Sequence, residues 1–387
     1  MTGGMKPRRG GYCLVLAAAL AGLPAAAPMA QAVQPADEAA DPYDEPVTAD
    51  PARTPPWRAL ELGRAGQRYP FPVYASKNFK RDDLRGIRRL VIVVHGVKRD
   101  ATRSYEAVSA LMGTNPDRLD DTLIIAPKFA SAIDAGFGHM PAWRRASWED
   151  GEPSMPAKGR PAPVGSMRVL DDILQELARP ERLPALRTVV LAGHSAGGQL
   201  IQRYAVLNNV DEDLRKKGLD VRYVVANPSS YLYLTPDRPR PDGRGFAPYE
   251  RGICPTYNQY KYGLDQLPAY LHDVDRARLA SRYAARHVTY LLGSADNNPE
   301  HQFLDKTCGA EAQGATRWAR GLGYWRHELD SAQRHPDWPA LAHQAQEVVE
   351  TGHNVAAMFG STCGARALLG ETSAPLTQGA ACLPITR

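Results

Sequence analysis

This sequence has little excess charge: 47 Lys and Arg stand against 42 Asp and Glu, a formal +5. Lys6, Arg8 and Arg9 supply three of those charges and no acidic residue precedes Asp37, so the chain beyond position 32 carries +2. That balance gives no electrostatic basis for nucleic-acid binding. The most basic block, KRDDLRGIRR at 80–89, mixes both signs and reads as a solvated face. Beyond the N-terminus no run approaches the roughly 20 apolar residues of a membrane span. There is no C-x-x-C, which removes the ligand spacing of a zinc knuckle or a redox dithiol. No repeat of a solenoid or propeller is visible.

What is present begins with a leader. Three basic residues precede an apolar run at 12–23, and AQA at 30–32 offers small residues where a signal peptidase reads, so 1–32 is expected to be a signal peptide cleaved after Ala32. The run is short for a retained anchor, and Cys13 follows GGY rather than a lipoprotein box. Residues 33–56, rich in Pro, Asp, Glu and Ala without an apolar period, read as a disordered linker. Export leaves Cys254, Cys308, Cys363 and Cys382, an even set for an oxidising compartment such as the periplasm or the medium. Of three connectivities the preferred one pairs Cys254 with Cys308 and Cys363 with Cys382, because the last two close a short loop.

From 57 to 387 the pattern is that of one α/β domain. LVIVV (90–94), TLIIA (122–126), TVVLA (188–192), VRYVVA (221–226) and VTYLL (288–292) are β-branched and nearly continuous, as buried parallel strands are. SYEAVSALM (104–112) and SMRVLDDILQELA (166–178) repeat apolar residues at three and four, as helices do. Their alternation predicts a doubly wound, mostly parallel sheet. Its chemistry should lie at the C-terminal ends of the strands.

At one such end stands LAGHSAGG, 191–198, with Ser195 at the apex of a strand-to-helix turn. Gly193 and Gly197 flank it at the spacing of G-x-S-x-G, and on this motif the chain resembles the α/β-hydrolase superfamily, in particular exported bacterial serine hydrolases. The resemblance covers about 90–360 and implies an order of serine, acid, histidine. A serine hydroxyl is a weak nucleophile until a base takes its proton and an acid orients that base. The expected base is His353, just past the apolar run of QEVVETGHNVAAMF; His343 lies before that strand, and His194 reads as a packing neighbour. The expected acid is Asp296, three residues after Gly293 at a strand end, with Asp305 and Glu300 as substitutes; Asn227, in the rival slot, cannot be an anion. The oxyanion donors implied by the resemblance are the N–H groups of Ala196 and of Val97 or Gly96, after the strand that ends in His95. His95 itself reads as structural.

The segment 231–285 holds eight of the 17 tyrosines and many prolines, and is expected to form an aromatic-rich lid insertion. Tyr231 is its best candidate for contacting substrate, with Trp143 and Trp148 in the loop 140–153 beside it. No metal or organic cofactor is expected; DNNPE at 296–300 lacks the spacing of a calcium loop. The expected substrate is a small-molecule or polymeric carboxylic ester, with no nucleic acid and no stable membrane insertion after cleavage. A peptidase, amidase or acyltransferase would use the same groups, and a non-catalytic or polymer-binding protein could retain the fold.

Overall fold

The computed structural model describes residues 57–268, 275–376 and 381–386. The expected signal peptide and linker lie outside the described residues. Among the described residues eleven strands run in order: β1 (Arg58–Leu62), β2 (Tyr69–Ala75), β3 (Arg89–Val94), β4 (Thr122–Pro127), β5 (Thr188–His194), β6 (Asp220–Ala226), β7 (Asp237–Pro239), β8 (Phe246–Pro248), β9 (His287–Gly293), β10 (Gln344–Val348) and β11 (Cys382–Pro384). The helices are α1 (Ala101–Ser109), α2 (Leu111–Thr114), α3 (Ser166–Leu177), α4 (Ala196–Leu207), α5 (Val210–Lys216), α6 (Leu279–Ala284), α7 (Cys308–Glu311), α8 (Arg317–Arg334), α9 (Val355–Gly360) and α10 (Thr362–Leu369).

Nine strands form one sheet in the order β1-β2-β4-β3-β5-β6-β9-β10-β11, parallel from β4 through β10 and antiparallel at both margins. The expected doubly wound parallel sheet is what the chain forms. Each inner strand divides its side chains between two cores: Leu90, Ile92 and Val94 of β3 face one, Val91 and Val93 the other. This is why the strands read as continuous apolar runs rather than as alternation. The marginal strands carried no such signal. β2, YPFPVYA, contains two prolines that cannot donate to a ladder, and it pairs with β4 over three residues only, Val73 to Ala75.

Strand order reverses at β3, whose neighbours are β4 on one side and β5 on the other. Chains leaving β3 and β5 therefore diverge and open a crevice at their C-terminal ends. α4 leaves β5 into that crevice with all twelve of its residues buried. Its polar side chains are bonded inside: Gln202 donates to the Tyr324 hydroxyl, and Arg203 donates to Gln199, Ser230, Asp150 and the Glu149 carbonyl. A helix buried all round keeps polar residues only on such terms.

The disulfides are Cys254–Cys308 and Cys363–Cys382, as the preferred connectivity has it. No helix among the described residues is long and apolar enough to cross a membrane.

Candidate active site

The turn between β5 and α4 explains its own composition. Ser195 has φ 59° and ψ −123°, a conformation that L-residues rarely adopt. Close approach on every side makes it tolerable: a Cβ on Gly193 would stand 2.2 Å from the Gly197 carbonyl, one on Gly197 2.3 Å from the Val94 carbonyl, and one on Gly198 2.8 Å from the Ala226 carbonyl. Only glycine fits at these three positions. The Ser195 N–H donates to the Ala226 carbonyl at 3.0 Å, which fixes the apex against β6.

Three strand ends then meet. Ser195 Oγ lies 2.9 Å from His353 Nε2, and His353 Nδ1 lies 2.6 Å from Asp296 Oδ2. The carboxylate orients the ring with Nδ1–H donating and leaves Nε2 as the acceptor facing the hydroxyl. Asp296 follows β9 and His353 follows β10; the Asn354 side chain caps α9 just behind the histidine, accepting from Ala356 and Ala357 N–H. Asp305 and Glu300, the substitute acids, bond Tyr262 and Lys306 instead. Asn227 accepts the Gly293 N–H at 2.8 Å and so ties β6 to β9.

Ala196 is the first residue of α4, where N–H groups have no partner within the helix. Val97 lines the cavity beside Ser195, and a Cβ on Gly96 would lie 3.7 Å from Ser195 Cβ. His95 is fully buried: Nδ1 bonds the Gly96 carbonyl at 2.9 Å and Nε2 accepts the Phe129 N–H at 3.0 Å. Burial pushes its pKa down to about 3, so it is neutral and holds the turn that carries Val97.

The three proposed substrate contacts are elsewhere. Trp143 and Trp148 are 0% exposed; Trp148 stacks on Phe129 and Trp143 packs edge-on to Phe71 and Phe129. Indole surface is buried under the loop rather than offered to the cleft, and their chain neighbours Arg144, Ser147 and Glu149 line it instead. Tyr231 is likewise fully buried, stacked on Tyr324 at 4.5 Å between ring centres. Tyr233 and Tyr283 join the same core, so these three tyrosines of the insertion serve packing rather than binding.

The cleft has two lobes that meet at Ser195. The larger, about 630 Å³, is walled by Val97, Arg144, Glu149, Lys261, Phe303 and Asp305 among others. The smaller, about 310 Å³, holds His194, His301, Phe303 and His353. Sequence reasoning missed Lys261, which the insertion delivers to the cleft between Tyr260 and Tyr262, whose hydroxyls bond the Asp150 carbonyl and Asp305. It also missed Arg317, at the start of α8. Nothing local marks either residue, since the partners that place them, Glu149 for Lys261 and Ser229, Asp296 and Phe303 for Arg317, lie 14 to 112 residues away.

The His353 ring is held neutral: burial lowers its pKa, and the Arg317 guanidinium nearby lowers it further. Burial raises that of Asp296 against the opposing pull of Arg317. His194, whose ring centre is 4.5 Å from that of His353, is pushed well below the ordinary range by burial. The site at rest thus holds a neutral base against the hydroxyl.

No family model matches the chain, and no curated protein matches it. Among solved structures it resembles poly(aspartic acid) hydrolase-1 from Sphingomonas sp. KT-1, with TM-score 0.52 and 22% identity over 79% of this chain and 96% of that one. It also resembles the poly(3-hydroxybutyrate) depolymerase LpqC from Bordetella parapertussis, with TM-score 0.54 and 21% identity over 79% of this chain and 87% of that one. Sheet order, flanking helices and these likenesses agree: the chain has the α/β-hydrolase fold.

Proposed function

We propose that this chain is an exported serine hydrolase that cleaves carboxylic esters through an acyl-enzyme. The observation that carries the reading is the hydrogen-bonded line from Ser195 through His353 to Asp296. Ser195 Oγ attacks the ester carbonyl as its proton passes to His353 Nε2, and Asp296 steadies the imidazolium. The oxyanion is held by the N–H groups of Ala196 and Val97, with Gly96 shaping the turn. Collapse breaks the ester C–O bond, and the leaving alcohol takes the proton from His353. Water, deprotonated by the same nitrogen, then releases the acid and restores Ser195.

The larger lobe combines apolar surface at Val97, Ala146, Phe303 and Leu304 with the charged side chains of Arg144, Arg145, Glu149, Asp150, Lys261, Asp305 and Lys306, so it suits a substrate with both apolar and polar surface. Two lobes that share Val97, Ser195 and Phe303 give room for an extended or polymeric ester, and the two similar structures are named for polymer hydrolysis. Export rests on the leader and is supported by the two disulfides. Protein secreted from a bacterial host should begin at Val33 by N-terminal mass mapping.

The test of the activity is labelling with a fluorophosphonate and mapping of the modified peptide. Adduct on Ser195, lost in Ser195→Ala and His353→Ala, is expected; an unlabelled, folded, disulfide-intact protein would overturn the reading.

A further inference from the structure

Behind the acid of the triad stands a second buried charge. Arg317, 2% exposed, opens α8 and directs its guanidinium at the face of Asp296 that His353 does not use, Nη1 donating to Oδ1 at 3.4 Å while Oδ2 serves His353. Its remaining nitrogens are spent on the same neighbourhood. Nε donates to Ser229 Oγ at 2.9 Å, and Nη2 donates to the Phe303 carbonyl at 2.7 Å and to His301 Nδ1 at 3.5 Å. The Trp318 N–H adds a bond to the Asp296 carbonyl at 3.1 Å, so the start of α8 grips that residue by main chain and side chain together.

A strut between loops needs only the bonds; a full positive charge buried beside the carboxylate that orients the base does something more. A triad aspartate favours the imidazolium by its charge, and a guanidinium on its other oxygen offsets part of that charge. We propose that Arg317 is a positioning residue that sets the pH range of the site, holding Asp296 in line with His353 while keeping His353 unprotonated in acid where an ordinary triad histidine would be charged. The proposal rests on the serine-hydrolase reading above.

The other groups around His353 add no second anion. His194 from the end of β5 and His301 from the segment after β9 face its ring, with centres 4.5 and 5.2 Å away. His301 Nδ1 accepts from the Phe303 N–H at 3.2 Å as well as from Arg317, which keeps that imidazole neutral. On the far wall of the smaller lobe Lys98 and Arg103 outnumber Asp100, whose carboxylate is occupied by Thr102 and by the Arg103 N–H. Asp296 is thus the one carboxylate in contact with the base among the described residues, and Arg317 answers it. The direction of the His353 shift, downward from burial and then from Arg317, agrees.

The experiment is the rate of fluorophosphonate labelling of Ser195 from about pH 4 to about pH 8, for the full chain and for Arg317→Met and Arg317→Lys. The full chain is expected to lose half its rate below the ordinary histidine value of about 6.5. Arg317→Met should move that midpoint up by about one pH unit, and Arg317→Lys, which keeps the charge but not the fork, should leave it near the starting value at a lower plateau. A midpoint at or above about 6.5 in the full chain overturns the proposal even where neither variant folds. So does an Arg317→Met variant that loses plateau rate with its midpoint unmoved, which is the mark of a strut alone. Absence of labelling at every pH removes the hydrolase reading and this inference with it, whereas labelling with an ordinary acid limb removes only the inference.

Discussion

The two lobes that meet at Ser195 are built by different means. In the smaller, Ser195, Asp296 and His353 leave the ends of β5, β9 and β10, and the main chain holds them: a left-handed apex, glycines in backbone contact, and the N–H of Ser195 on the Ala226 carbonyl. In the larger, the wall stands on side-chain charge. Lys261 donates to Glu149 at 2.8 Å and lies 3.5 Å from Asp150 and 3.8 Å from Asp305, joining the insertion to the loop after β4 and to the segment before α7. The sheet fixes the smaller lobe, and pairs that reach across the chain fix the wall of the larger. Changes to the first should cost turnover, and changes to the second should alter which substrate is taken.

The sharpest break is at Ser195, the proposed nucleophile. Ser195→Ala and His353→Ala should each lower kcat/KM by about 10⁴-fold or more with little change in melting temperature, and the double variant should lose scarcely more than either alone. Near-full additivity of the two losses on an ester substrate would mean that the groups do not act as a unit. Gly197→Ala tests the same lobe from the backbone side. A methyl 2.3 Å from the Val94 carbonyl and 2.6 Å from that of His95 must force β3 and the elbow apart, so the variant should fail to accumulate as folded protein. Soluble, active Gly197→Ala would show the elbow to be looser than its contacts require.

Legibility in the sequence follows the same division. Five of the six parallel strands could be read because burial on both faces leaves continuous apolar runs, and the turn at Ser195 because its close backbone contacts demand glycine at fixed offsets. Trp143, Trp148 and Tyr231 were misplaced for a reason of the same kind: loop position suggested exposure, yet rings of that size are buried wherever the fold gives them a core. Arg317 and Lys261 left no trace. Their significance lies in partners such as Asp296 and Glu149, 21 and 112 residues away, and no local pattern encodes such a pairing.

The larger lobe is broken most directly at Lys261. Lys261→Met leaves the buried Glu149 without its ammonium, and removing one partner of a buried pair costs about 3–5 kcal/mol. Burial already raises the pKa of Glu149, and Lys261 is the main group that opposes this. A carboxyl whose folded pKa is raised binds its proton more tightly in the folded state, so its stabilising contribution is present at low pH and lost as pH rises through the folded value. The melting-temperature gap between Lys261→Met and the full chain should therefore widen from about pH 5 to about pH 8. On a small neutral ester KM should move more than kcat, because Lys261 lines the larger lobe without touching His353. A pure kcat loss at unchanged KM would join the two lobes into one functional unit.

The smallest effects on kinetics should come from the disulfides, and there the comparison is cleanest because the two bridges differ in place more than in strength. Their sequence separations of 54 and 19 correspond, in the chain-entropy account, to about 4 and about 3 kcal/mol. Cys363–Cys382 fastens β11 to α10, away from both lobes, so replacing both cysteines with serine should lower the melting temperature and leave kcat and KM as they were. Cys254–Cys308 fastens the insertion to the first residue of α7, directly after Thr307 and two residues past Lys306, which both line the larger lobe. Serine at these two positions should add to a similar thermal loss a rise in KM of a few fold, greatest for extended esters, with the rate of fluorophosphonate labelling unchanged. Equal kinetics for the two double variants would mean that the ion pairs of Lys261 suffice to hold the wall, and that the covalent tie contributes stability without bearing on the choice of substrate.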